Sequence, residues 1–257
     1  MVGVVGDGVR VFLGVDARGR GWAVGVHDDG EVDHLAAVLF RAAAGTREAI
    51  MAQDLLIIMA RYPTPGKVKT RLARDIGVAA ATKWYRQMLF HFRREFSHTR
   101  YVVEWWYTPA RSPFRRLFWL NRRNGRPQPT GNLGARMQAI FADAFARGYR
   151  RVVMIGTDAP EVGQPTVRSA FRLLHETSAV LQPTQDGGYA LIGLAGMVNV
   201  FTGIPWSTGA VMSQTRQRLR DLSVHHVELP ATFDVDTAAD YWLLLSKTAR
   251  AASNSCG

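Results

Sequence analysis

The sequence predicts an α/β fold, a mostly parallel sheet with helices packed on both faces. Three observations carry this expectation. From Met51 onward, strand-sized apolar runs alternate with segments of helical periodicity. The loops that follow the strands are marked by Pro, Gly and Asp, as in sheets that present their carboxyl ends to a ligand. The chain has 257 residues, 47% of them apolar and 21% charged, enough to close a sizeable core and too apolar for wholesale disorder.

The elements follow in order. Leu55 to Ala60 is a buried-type strand. It ends at Tyr62-Pro63-Thr64-Pro65-Gly66, which a helix cannot cross. Val78, Ala81, Tyr85, Met88, Leu89, Phe92 and Phe96 recur at helical spacing and predict a helix over 77–97. Tyr101 to Tyr107 is β-rich, and Arg111 to Pro129 is a basic connection holding a short helix. Asn132 is an N-cap for a helix carrying Leu133, Met137, Ile140, Phe141 and Phe145 and ended by Gly148. Strand Arg151–Ile155, helix Pro165–Glu176, strands Ala179–Gln182 and Tyr189–Leu194, a helix at 208–220, strand Val224–Leu229 and a helix at 237–249 complete the series.

Residues 1–50 differ. They are glycine-dense without sustained periodicity, with one Ala-rich stretch, Leu35 to Ala44, suited to a short helix. We read them as an N-terminal extension, either an upstream start or a loosely attached segment. The catalytic-type domain spans 51–250 and a flexible tail 251–257. No basic segment precedes an apolar run as in a signal peptide, and no run approaches a membrane span, so the chain reads as soluble and cytoplasmic. Its one cysteine, Cys256, excludes a disulfide scaffold and a Cys-rich zinc site.

The formal charge is +11, and it is localised. Residues 61–151 hold 20 basic and 4 acidic side chains, whereas 1–50 and 152–257 are each net −2. A basic excess suits nucleic acid, an anionic surface or a phosphorylated small molecule. Only four of the cations are lysines, and an Arg-, Ala- and Gly-rich composition also follows from a GC-rich genome.

The residues after the strands carry the chemistry. Arg61, Lys67, Lys69 and Arg71 surround a turn set by Pro63, Pro65 and Gly66. Such a loop feeding a helix favours a phosphate through free N–H groups and charge-assisted bonds; it lacks Walker A spacing. Asp158, between Gly156-Thr157 and Ala159-Pro160, is placed either to hold a hard divalent cation or to start the next helix. Asp234 and Asp236 share a face if extended, Asp236 with Thr237 equally caps a helix, and Asp240 reads as a surface charge. Asp186-Gly187-Gly188-Tyr189 is a hairpin signal whose glycines also admit close approach of a substrate. Trp206 offers an aromatic face, or a core residue with Ser207 as N-cap.

Six segments in order resemble the radical-SAM/selenodomain-associated transferases, within the nucleotide-diphospho-sugar transferase (GT-A) superfamily. They are Arg-Tyr-Pro-x-Pro-Gly-Lys-Val-Lys-Thr-Arg-Leu, Gly-Asn-Leu-Gly-x-Arg-Met, Ile-Gly-Thr-Asp-x-Pro, Asp-Gly-Gly-Tyr-x-Leu-Ile-Gly, Ile-Pro-Trp-Ser-Thr and Asp-Val-Asp-Thr-x-x-Asp, spanning Asp54 to Leu245. The resemblance implies a GT-A Rossmann-like three-layer sandwich with nucleotide-binding residues at Arg61 and Pro65 to Arg71. It implies Asp158 as metal ligand with Asp236 and, less directly, Asp234, the cofactor being Mg²⁺ or Mn²⁺. Gly187, Gly188 and Tyr189 would line the sugar or acceptor side, beside Asp186 and Trp206. Lys69 and Arg71, with Asp158, would neutralise the diphosphate leaving group. The family commonly has Asp where Asn132 stands and often Gly-Pro where Gln182-Pro183 stands. The implied activity is glycosyl transfer from a nucleotide sugar to a small-molecule acceptor. The alternatives are nucleotidyl transfer from an NTP with pyrophosphate release and, in another class, non-enzymatic nucleic-acid binding, which the small-molecule reading of the basic loop disfavours.

Overall fold

The computed structural model describes residues 53–254 and, before them, the strand backbones at 2–5, 9–15, 21–27 and 32–33. Two compact units divide the chain, residues 1–52 and 53–257. In the first, β1 (Val2–Val5), β2 (Val9–Val15), β3 (Gly21–His27) and β4 (Val32–Asp33) form an antiparallel sheet in that order. The sequence reading assigns no strand there, because the frequent glycines break the alternation. The helix expected at Leu35 to Ala44 and the tail cysteine lie outside the described residues.

The second unit is an α/β sandwich around seven strands. They are β5 (Asp54–Arg61), β6 (Val102–Thr108), β7 (Gly125–Pro127), β8 (Arg151–Ile155), β9 (Ala179–Pro183), β10 (Tyr189–Leu194) and β11 (His226–Glu228). Their spatial order is β11-β9-β10-β8-β5-β6-β7, and every neighbouring pair is parallel except the two made by β10. The helices are α1 (Thr70–Ile76), α2 (Val78–Glu95), α3 (Phe114–Leu117), α4 (Leu133–Ala146), α5 (Gln164–Leu173), α6 (Val211–Asp221) and α7 (Ala238–Asn254).

The central strands read as unbroken apolar runs because both of their faces are covered. Leu56, Ile58 and Ala60 of β5 and Val153 and Ile155 of β8 pack into one cluster with α1, α2, α3, α5 and α7. The alternate residues Leu55, Ile57, Val152 and Met154 pack into the other with α4 and α6. The expected three-layer α/β architecture is therefore present.

Some boundaries differ for local reasons. The helix expected over 77–97 is present as α2, and a further helix the sequence reading does not assign, α1, precedes it, the two separated at Gly77, whose φ of +86° takes it out of helical geometry. The basic connection 111–129 contains α3 and a three-residue strand, β7, too short to show periodicity. Helix α6 starts at Val211 with Ala210 before it, so Ser207 is not its N-cap. Helix α7 runs on to Asn254, beyond the boundary expected at 250.

The Asn132 cap is present: its Oδ1 accepts from Ala135 N at 2.9 Å. Asn132→Ala is expected to lower unfolding free energy by about 1 kcal/mol, measurable by urea denaturation at constant m-value. Within β6, Glu104 is a buried carboxylate gripped at both oxygens by Arg147, at 2.5 and 2.9 Å, with Trp106 Nε1 donating at 3.2 Å.

Candidate functional site at the carboxyl edge of the sheet

Strands β5 and β8 run parallel, so the loops that follow them leave the sheet at the same edge. Because β10 runs backward, the turn between β9 and β10 opens there too. The chain after β11 joins them: Thr232 N donates to Pro183 O and Val235 N to Asp158 O, each at 2.9 Å. Four segments far apart in sequence thus meet.

The first loop is held by hydrogen bonds of its own. Lys67 N donates to Thr64 O at 3.0 Å, closing a turn with Pro65 at its second position and Gly66 at φ +71°, the geometry a Pro-Gly type II turn requires. Arg61 Nη1 donates to Lys67 O at 3.1 Å and braces the turn. Pro65, Gly66, Lys67 and Arg71 are exposed. Tyr85 fastens this loop to the next: its buried hydroxyl accepts from Arg61 N at 3.0 Å and pairs with Thr157 Oγ1 at 3.1 Å. Burial and the Asp158 carboxylate push the Tyr85 phenol up to about 12, so it stays neutral. Sequence reasoning assigns Tyr85 to the apolar helix face, and nothing in the local pattern distinguishes the hydroxyl's role.

Lys69 is the centre of the arrangement. It precedes α1 with φ 47° and ψ 46°, a left-handed conformation unfavourable for lysine. Its ammonium contacts Asp158 Oδ1 at 2.5 Å and Asp236 Oδ1 at 2.9 Å, and lies 5.4 Å from the centre of the Trp84 ring. Its side chain is only 3% exposed, whereas those of Asp158 and Asp236 are 50% and 40% exposed. Burial pulls the lysine pKa down, yet Asp158 and then Asp236 outweigh it and hold it above the ordinary value. The sequence reading places Lys69 on phosphate; here it faces the two aspartates. Arg71 Nη1 approaches Asp236 Oδ2 at 3.8 Å.

Asp236 is free for this contact because it does not cap α7. Asp240 Oδ2 accepts from Thr237 N at 2.8 Å and Asp236 N at 3.1 Å, while Thr237 Oγ1 accepts from Asp240 N at 3.4 Å. This reciprocal capping box is legible as Thr-x-x-Asp, and it corrects the reading of Asp240 as a plain surface charge.

Asp234 sits among like charges. Burial first, then the carboxylates of Asp158 and Asp186, raise its pKa to about 7. The native state therefore keeps a proton that the unfolded chain releases near pH 4. The stability linked to this proton is fully present below pH 4 and is lost as pH rises toward 7. We expect metal-free protein to lose about 1–2 kcal/mol between pH 5.5 and 7, and Asp234→Asn to flatten that slope in urea titrations with EDTA.

The Asp186–Gly188 turn is held locally. Asp186 Oδ1 accepts from Thr184 Oγ1 at 2.6 Å and Gly188 N at 3.1 Å. At Gly187, φ is +86° and a side chain would run into the Gly209 carbonyl, so the close approach there is made by the chain's own backbone. A register irregularity between Tyr189 and Leu191 turns Tyr189 to the opposite face, where it meets Trp206 edge-on at 6.4 Å. Both pack against the second core cluster, away from Lys69.

Asp158 and Asp236 present two half-exposed carboxylates around one point, a donor pair that would fit an ion shared with phosphate oxygens. Among the described residues no three His, Cys, Asp or Glu side chains converge as a fully protein-caged ion would need. The two carboxylates would thus fit an ion that takes its remaining ligands from a bound phosphate or water.

Residues 94–208 match the family described as an uncharacterized protein conserved in bacteria (DUF2064). No curated protein matches the chain. Among solved structures it is similar to a candidate nucleotide-diphospho-sugar transferase from Desulfovibrio desulfuricans G20, at 32% identity and TM-score 0.71 over 75% of this chain and 86% of that one. The chain belongs to this nucleotide-diphospho-sugar transferase-like family. More remote likenesses include CMP:2-keto-3-deoxy-manno-octonic acid synthetase with CTP, at 12% identity and TM-score 0.49 over 77% and 99% of the two chains. Another is Rv0371c from Mycobacterium tuberculosis H37Rv with manganese, at 16% identity and TM-score 0.44 over 76% and 99%. The family assignment makes this chain transferase-like. No helix among its described residues is long and apolar enough to cross a membrane.

Proposed function

We propose that this transferase moves a glycosyl unit from a nucleotide-diphosphate sugar to a small-molecule acceptor, with Mg²⁺ or Mn²⁺ as cofactor. The observation that carries the reading is the convergence of Lys69, Asp158 and Asp236 beside the braced Arg61–Arg71 loop. Asp158 and Asp236 would hold the cation, which supplies positive charge to a diphosphate leaving group. Lys67 and Arg71, exposed at the same edge, would bind the phosphates. The Asp186–Gly188 turn would border the sugar or acceptor, with Tyr189 and Trp206 supporting it from the core side. The six sequence motifs support placing the chain among the radical-SAM-associated members.

Thermal shift against UDP-, GDP-, ADP- and dTDP-sugars and free NTPs, each with Mn²⁺ or Mg²⁺, tests the reading. Stabilisation by one nucleotide sugar, dependent on the metal, is the expected result. Stabilisation by NTPs alone, with pyrophosphate released on turnover, replaces glycosyl with nucleotidyl transfer. Binding to nucleic acid that falls steeply with salt and ignores Asp158→Asn overturns both.

A further inference from the structure

We infer that Lys69 is an exchangeable internal cation: it bridges Asp158 and Asp236 in the metal-free protein and is handed to the substrate's phosphates when a divalent ion takes the two carboxylates. The inference rests on the proposed metal-bound nucleotide. Three observations lead to it.

The first is position. One ammonium lies within 2.9 Å of an oxygen from each aspartate. A cation bridging the same two oxygens must occupy that place, so lysine and metal exclude one another there.

The second is access. The lysine reaches the carboxylates from the protein side and is 3% exposed, while the carboxylates themselves are about half open to solvent. An ion and its phosphates can arrive from the open side without passing the lysine. Its stem starts at the left-handed residue before α1, two positions from the phosphate-type Lys67 and two from Arg71. A rotation of the side chain would carry the ammonium from the carboxylates toward the basic loop.

The third is charge. One ammonium is shared between the two carboxylates, and the other cation at hand, the exposed Arg71, reaches only Asp236 Oδ2, at 3.8 Å. A divalent ion neutralises the pair completely and frees the lysine's charge for a diphosphate. The exchange assigns Lys69 two successive partners. It also reconciles the sequence motif, which places this lysine with the phosphate-binding cations, with the structure, which places it on the carboxylates.

Lysine acylation of the full wild-type chain, read by mass spectrometry with and without Mn²⁺ and without nucleotide, tests the exchange. The chain has four lysines, and Lys67 and Lys83, both exposed, serve as internal references. Lys69 is expected to react about tenfold more slowly than Lys67 without metal and to accelerate about fivefold when Mn²⁺ binds. In parallel, Mn²⁺ affinity by electron paramagnetic resonance is expected to tighten about tenfold in Lys69→Met and to weaken about tenfold in Asp158→Asn. Mn²⁺ binding that depends on Asp158 while Lys69 labelling stays unchanged overturns the exchange and leaves the metal reading standing, whatever Lys69→Met does. Absence of Mn²⁺ binding in all three chains, alone and with each of the nucleotide sugars and NTPs named above, overturns both.

Discussion

Asp158→Asn is expected to reduce turnover by about three orders of magnitude and to remove metal-dependent thermal stabilisation by nucleotide. The substitution preserves shape. The amide oxygen it introduces still accepts from Lys69, and Asp236 still compensates the ammonium, so the fold should persist. What is lost is one of the two charges that would hold a phosphate-bound cation. The backbone carbonyl at position 158 continues to hold Val235 N, which keeps the Asp234–Asp236 segment in place. Unchanged far- and near-ultraviolet circular dichroism beside a collapsed nucleotide response is the expected pair of results. A variant that keeps wild-type turnover would remove Asp158 from the chemistry.

Arg147→Ala is expected to destabilise the protein by about 3 kcal/mol. Glu104 is 2% exposed, and Arg147 supplies the close, two-pronged compensation of its charge. Arg126 is the remaining cation nearby, at 3.9 Å, and is already engaged with Asp143 at 2.6 Å. Removing Arg147 strands a buried carboxylate in the middle of β6. The double variant Glu104→Gln with Arg147→Ala should recover part of the loss, because it removes the stranded charge. Chemical denaturation of the four chains of this cycle gives the coupling directly. Equal losses in the single and double variants would mean that Glu104 costs nothing when unpaired.

The sheet is legible in the sequence where one strand buries both faces. Arg151–Ile155 and Tyr189–Leu194 are bounded by apolar pattern alone, and they lie in the middle of the sheet. The edges are not: Gly125–Pro127 offers a glycine, an arginine and a proline, none of which signals a strand. Helix α1 escapes sequence reasoning because it buries a single side chain, Leu72, and so shows no periodic stripe. In the site, each charged residue is visible as a post-strand residue, but the pairing of Lys69 with Asp236 spans 167 positions and has no local signature. The fate of Tyr189 depends on a one-residue irregularity in β10, which alternation rules cannot anticipate.

The two short strands that end the sheet have a consequence for solubility. The outermost strands, Gly125–Pro127 and His226–Glu228, are three residues each. One contains a proline with no N–H to offer, and the other carries Glu228 held by Arg216. A neighbouring molecule seeking to extend this sheet thus meets at each margin a template too brief and too charged to copy. The long, strongly apolar strands that make the core, and that would aggregate most readily if exposed at a margin, are all interior.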